Sequence, residues 1–156
     1  MMVSNVAELL IKEFGEKKIK ISKDYLDKYG RDWYKGLEAK PSAIVFPENE
    51  KDIQDLILFA NKYKHPIVPS GGRTGLNGGA TAANNEIVVS SEKLNKIEWM
   101  SDADQIKCQS GVITDVAKQF ALENNRMLPI SFSGTSSSTI GGNLATNAAG
   151  AKFIRY

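Results

Sequence analysis

The chain has 156 residues, 42% of them hydrophobic and 24% charged, the size and makeup of an ordinary globular domain. Twenty basic side chains against eighteen acidic ones leave a formal net charge of +2, too little field for a reader of phosphate backbones, so nucleic acid is not an expected partner. One cysteine, Cys108, and one histidine, His65, exclude a disulfide framework and a zinc site of several thiolates or imidazoles, and point to a cytoplasmic protein without a metal.

At the N-terminus, Asn5 and Glu8 make a capping box, and Val6, Leu9, Leu10 and Phe14 share a helical face that Gly15 closes. Glu8, Lys12 and Glu13 interrupt this stretch, so it reads as neither a signal peptide nor a span, and no other apolar run approaches membrane length. Ile44-Val45-Phe46, bounded by Pro41 and Pro47, reads as a short buried strand; Asn49 then caps a helix bearing Ile53, Leu56, Ile57 and Ala60, which His65-Pro66 stops. Ile67-Val68 is a second strand and Glu86 to Ser90 a third. Strand, helix and strand at this spacing predict a βαβ unit with parallel strands. After Leu94, residues 97–100 and 105–109 alternate around the polar turn Ser101-Asp102-Ala103-Asp104, as an antiparallel hairpin does. Thr114 can cap a helix carrying Val116, Ala117, Phe120 and Ala121, which Asn124-Asn125 ends. The mixture predicts an α+β fold.

The thirteen glycines cluster: five fall between Gly71 and Gly79, and four between Gly134 and Gly150. Residues 70–85 carry only Arg73 as a charge, and residues 130–151 carry none. Flexible linker is the bland reading of such composition, but the strand feeding the first segment, and Ile140, Leu144 and Ala145 within the second, argue against it. The first segment follows a strand, where bare backbone N–H groups can cradle an anion; a tight structural turn is the alternative. It is not a P-loop, since no Gly-Lys-Ser or Gly-Lys-Thr follows, and nowhere is there G-x-G-x-x-G spacing. The second segment offers hydroxyls, amides and backbone, a wall suited to a large ring with hydrogen-bonding edges such as flavin.

Four stretches in order, Pro69-Ser70-Gly71-Gly72-Arg73-Thr74-Gly75, Glu86 to Ser90, Gln109-Ser110-Gly111-Val112 and Thr139 to Gly150, resemble the FAD-binding half of the FAD-linked oxidases of the vanillyl-alcohol oxidase (PCMH) type. Tyr29-Gly30-Arg31-Asp32-Trp33 and Phe153-Ile154-Arg155-Tyr156 look most like the D-2-hydroxyacid dehydrogenases of that family, which include D-lactate dehydrogenase, the glycolate oxidase flavin subunit and D-2-hydroxyglutarate dehydrogenase. The resemblance covers about Asp24 to Tyr156. It implies a PCMH-type fold: a helical arm over residues 1–40, a first FAD-binding subdomain with a small parallel βαβ unit over 41–100, and a partial, antiparallel second subdomain over 101–156, with no counterpart of the cap domain.

The resemblance further implies that Ser70, Gly71, Gly72, Arg73, Thr74, Gly75 and Leu76, with Gly78 and Gly79, wrap the FAD pyrophosphate. Thr135, Ser136, Thr139, Gly141, Gly142, Asn143, Thr146 and Asn147 would lie along the rest of the cofactor. Some relatives attach FAD through a histidine in the first loop; here that loop contains none, so noncovalent FAD is expected. The family's substrate clamp and base lie beyond the match, so no catalytic residue is assigned. The expected function is the FAD-binding portion of an oxidoreductase acting on a D-2-hydroxy acid of the glycolate or D-lactate type, either encoded separately and completed by a complementary polypeptide or cut from a longer chain. An inactive truncated remnant, or a nucleotide-binding module without redox chemistry, are the alternatives.

Of the other conspicuous residues, Arg73 could face phosphate or solvent, His65 suits a role at the helix end, and Cys108 suits a small buried hydrophobe. Trp33 and Trp99 read as packing residues, and Asp32 has no assigned mechanism.

Overall fold

The computed structural model describes residues 6–148, 150–152 and 154–155; Asn5 of the expected capping box lies outside them, as do Ala149, Phe153 and Tyr156. The chain divides into two compact units, Met1–Lys93 and Leu94–Tyr156.

In the first unit, helix α1 (Val6–Phe14) ends at Gly15, whose φ of +81° supplies the left-handed turn expected of a terminating glycine. A short strand β1 (Ile19–Lys20) and helix α2 (Lys23–Tyr29) follow, neither of which the apolar pattern predicts. Strand β2 (Ala43–Val45), helix α3 (Glu50–Tyr63) and strand β3 (Ile67–Ser70) form the expected βαβ unit, and β4 (Ile87–Ser90) lies between the two strands in a sheet of order β1-β2-β4-β3. The ladders β2–β4 and β4–β3 are parallel, while β1 joins β2 antiparallel. Asn49 caps α3 as expected, its side chain accepting from the Asp52 amide at 2.9 Å.

Sheet strands buried on both faces need continuous apolar runs, and β2 and β4 have them. Ala43, Val45 and Ile87 pack with Ala7, Leu10, Leu56 and Phe59 of the helices on one face. Ile44, Val88 and Phe46 meet Tyr29 and Ala82 on the other. One expectation for α3 is corrected: Ile57 is 48% exposed, and Phe59 takes the inner position at 1%. The apolar face runs through 56, 59 and 60, one turn apart, and Ile57 falls outside that arc.

In the second unit, β5 (Ile97–Met100) and β6 (Gln105–Cys108) form the predicted antiparallel hairpin, with Glu98 opposite Lys107 and an ion pair of 3.1 Å between them. Its turn is a single 3₁₀ turn closed by Asp104 in the left-handed region. Helix α4 (Thr114–Glu123) starts one residue earlier than predicted. Ile113 occupies the cap position, and Thr114 is the first helical residue, fully buried, with its hydroxyl turned to Ser138 rather than to its own helix. Asn124 and Asn125 end the helix as expected. A last helix, α5 (Ile140–Ala145), has no counterpart among the predicted elements because two of its six residues are glycine.

Candidate cofactor-binding segments

Strand β3 delivers the chain to Ser70, which pairs with Ser90 across the parallel ladder. The carboxyl ends of parallel strands are where α/β sheets bind ligands. Ser70 is 2% exposed, and its hydroxyl has no hydrogen-bond partner among the described residues, an unusual state for a buried polar atom. Beyond it, the backbone N–H groups of residues 71–78 find no acceptor among the described residues. The loop shapes itself by other means. Gly79 donates to Asn77 Oδ1 at 3.1 Å, Thr81 donates to the Gly78 carbonyl at 3.0 Å, and Gly78 turns the chain at φ +79°, where a Cβ would also meet Leu37 Cδ1 at 2.8 Å. A buried unpaired hydroxyl followed by a run of unused amides suits a pyrophosphate, which presents only acceptors.

Arg73 adopts φ +58°, its guanidinium carbon stands 4.5 Å from the Tyr29 ring centroid, and Nη1 donates to the Gly71 carbonyl at 3.0 Å. It is half-buried and held within the chain, a use that neither sequence alternative included. The Tyr29 hydroxyl donates to Glu92 at 2.7 Å. Burial, then the hydrogen bond and charge of Glu92, push this phenol up to about 12, against the pull of Arg73. Thr74, Gly75, Leu76 and Gly79 are exposed, while Gly71 and Gly72 are half-buried.

In the second unit most candidate residues serve the local fold. Thr139 caps α5, its hydroxyl accepting from the Gly142 amide at 3.3 Å. Asn143, 5% exposed, donates through Nδ2 to Thr114 Oγ1 at 2.7 Å, and Thr114 in turn bonds the Ser138 carbonyl and hydroxyl. The Thr146 hydroxyl donates to the Gly142 carbonyl at 2.9 Å, and Asn147 turns the chain at φ +51°. Gly141 is small for a packing reason: its amide donates to the Ser110 carbonyl at 2.9 Å, and a Cβ would lie 2.5 Å from that of Ser110. Thr135 is buried, with its amide on Phe132, and Ser136 is exposed. Between Thr135 and Asn147 the exposed residues are Ser136, Ser137, Leu144, Ala145, Thr146 and Asn147.

His65 bonds the Asn85 carbonyl at 2.7 Å and Ser42 Oγ at 3.3 Å through Nε2, tying the end of α3 to the strand entries. Cys108 is half-buried, and burial raises its thiol pKa. Trp33 corrects the packing expectation: the residue is 67% exposed, and its backbone amide donates to the Gly75 carbonyl at 3.1 Å. Trp99 is half-buried on β5. Sequence reasoning missed Thr81 and Glu92, since a lone threonine or glutamate has no periodicity to mark it. Among the described residues no group of three acidic, cysteine or histidine side chains could hold a metal, and no helix is long and apolar enough to cross a membrane.

A family model described as an FAD binding domain matches residues 41–156. A D-2-hydroxyglutarate dehydrogenase of Stutzerimonas stutzeri is 45% identical over 140 residues, covering 89% of this chain and 30% of that protein. An alkyldihydroxyacetonephosphate synthase structure superposes with a TM-score of 0.83 at 20% identity, over 96% of this chain and 30% of the other. A p-cresol methylhydroxylase structure gives 0.70 at 20% identity, over 88% and 28%. The fold is thus the α+β, PCMH-type FAD-binding fold, and the chain spans under a third of the length of these proteins.

Proposed function

The chain belongs to the family of FAD binding domains and its cofactor is FAD; from that premise we propose that it is the FAD-binding portion of an oxidoreductase that oxidises D-2-hydroxy acids. The observation that carries the reading is the buried, unpartnered Ser70 hydroxyl leading into the unused amides of 71–78. Those groups bind the pyrophosphate without a lysine or a metal, by hydrogen bonds that a dianion strengthens. FAD, when bound, supplies a hydride acceptor for the substrate's α-carbon. This chain's own residues bind and orient it: Ser70 to Leu76, with Gly78 and Gly79, at the pyrophosphate, and the second segment through Ser136, Thr146, Asn147 and the exposed backbone of α5. Thr135, Thr139, Gly141, Gly142 and Asn143 support that second segment from within.

The substrate class rests on the relatives, whose names favour D-2-hydroxyglutarate and include D-lactate; glycolate is a shorter candidate of the same chemistry. The substrate clamp and the base belong to the rest of the enzyme, whether that is further sequence of the same chain or a complementary polypeptide. The test is titration of FAD with the chain while following flavin fluorescence. Saturable quenching that ATP and NAD do not reverse supports the reading; binding of ATP or NAD without FAD would replace it with a general nucleotide module. Anaerobic bleaching of the flavin by D-2-hydroxyglutarate, D-lactate or glycolate, in the complete enzyme, ranks the substrates.

A further inference from the structure

Asp32 is 5% exposed, yet no lysine or arginine pairs with it among the ion pairs of the described residues. A buried carboxylate without a cation is costly unless donors surround it. Here all the donors come from two short stretches of backbone and one hydroxyl. Oδ1 accepts from the Tyr34 amide at 2.9 Å and the Thr81 hydroxyl at 3.3 Å, and Oδ2 accepts from the Ala80 amide at 3.5 Å. The Asp32 amide donates back to Thr81 Oγ1 at 3.3 Å, so that hydroxyl both gives and receives. On either side, Trp33 donates to the Gly75 carbonyl and Ala82 to the Gly30 carbonyl. Gly75 lies against the carboxylate so closely that a Cβ there would stand 3.2 Å from Oδ2. Residues 30–34 and 75–82 are fastened together with Asp32 at the centre.

We propose that Asp32 is a positioning residue for the cofactor loop: its buried carboxylate clasps the returning arm at Gly75, Ala80 and Thr81, and so holds the 71–78 amides away from acceptors of their own. The inference rests on the FAD reading above and adds a residue that touches no cofactor. A carboxylate is needed because both oxygens must accept. An asparagine can keep the Tyr34 and Thr81 bonds but turns an NH₂ group toward the Ala80 amide.

The test compares the natural chain with Asp32→Ala, Asp32→Asn and Thr81→Val by amide hydrogen exchange and by FAD titration. Loss of the clasp is expected to speed exchange at the bonded amides of Trp33, Tyr34 and residues 79–82 and weaken FAD by about tenfold in Asp32→Ala, with Asp32→Asn between it and the natural chain. The amides of α3 and β2 keep their protection. Thr81→Val, which removes only the shared hydroxyl, gives the same local signature and serves if Asp32→Ala fails to fold. Uniform loss of protection across the first unit in Thr81→Val and Asp32→Asn would make Asp32 a stability residue and overturn the proposal, as would unchanged FAD affinity. A natural chain that binds no FAD defeats the functional reading, and exchange at residues 33, 34 and 79–82 still decides whether the clasp exists.

Discussion

The guanidinium of Arg73 rests 4.5 Å from the ring centroid of Tyr29, so the single charge of the Gly-rich loop is anchored on the aromatic cluster beneath the sheet. Tyr29 itself stands edge-on to Phe46 at 5.0 Å and bonds Glu92. An arginine so held contributes through its flat face as much as through its charge.

Tyr29 therefore has a distinctive titration. Its phenol is raised from 10.0 to about 12 in the folded chain, so its contribution to stability is complete below the ordinary tyrosine pKa and is lost as pH rises through about 12. Tyr29 is expected to give a phenolate signal near pH 12. Spectrophotometric alkaline titration of the natural chain and Tyr29→Phe checks this; a late phenolate signal surviving in Tyr29→Phe would assign it elsewhere.

Acid stability turns on Asp52. Burial would raise its pKa, but the Lys18 ammonium at 2.7 Å and the amides of Glu48 and Asn49 outweigh burial and hold it below the ordinary carboxylate range. The sign follows: the contribution is present above the unfolded pKa and is lost as pH falls through the lower, folded value. Asp52→Asn is expected to be less stable than the natural chain at neutral pH and to converge with it in strong acid, by urea unfolding at a series of pH values. A constant difference at all pH values would contradict the assignment.

The Asn143–Thr114–Ser138 network closes the second unit from inside. Asn143→Ala removes one of the bonds to the buried Thr114 hydroxyl, which keeps Ser138 as its partner, and is expected to cost about 0.5–1.5 kcal/mol. Chemical denaturation monitored at Trp99 reads the loss. An unchanged midpoint would show that Asn143 is spare, and free to face a ligand instead.

The legible parts of this fold were those with a period or a punctuation mark. The apolar runs of β2, β3 and β4, the Asn49 cap and the alternating hairpin all carry their signal within a few residues. Helix α5 did not, because Gly141 and Gly142 depress helix propensity while Thr139 and the contact with Ser110 hold the turn in place. The glycine loop was legible as a ligand loop, but its fastening was not. Asp32 and Thr81 stand 49 residues apart, and only the folded sheet brings them together. For the same reason Gly141 reads as a place for cofactor to approach, whereas Ser110 already fills the space its missing Cβ leaves.

A pyrophosphate held by the amides following Ser70 leaves its mark on those amides. The most direct measurement is the amide NMR spectrum of the chain titrated with FAD and, separately, with riboflavin, which has the same ring system and no phosphate. Shifts at Gly71 to Gly79 with FAD, and none there with riboflavin, are the predicted result. Loop amides that respond equally to both, or to neither while FAD binds elsewhere, would contradict it.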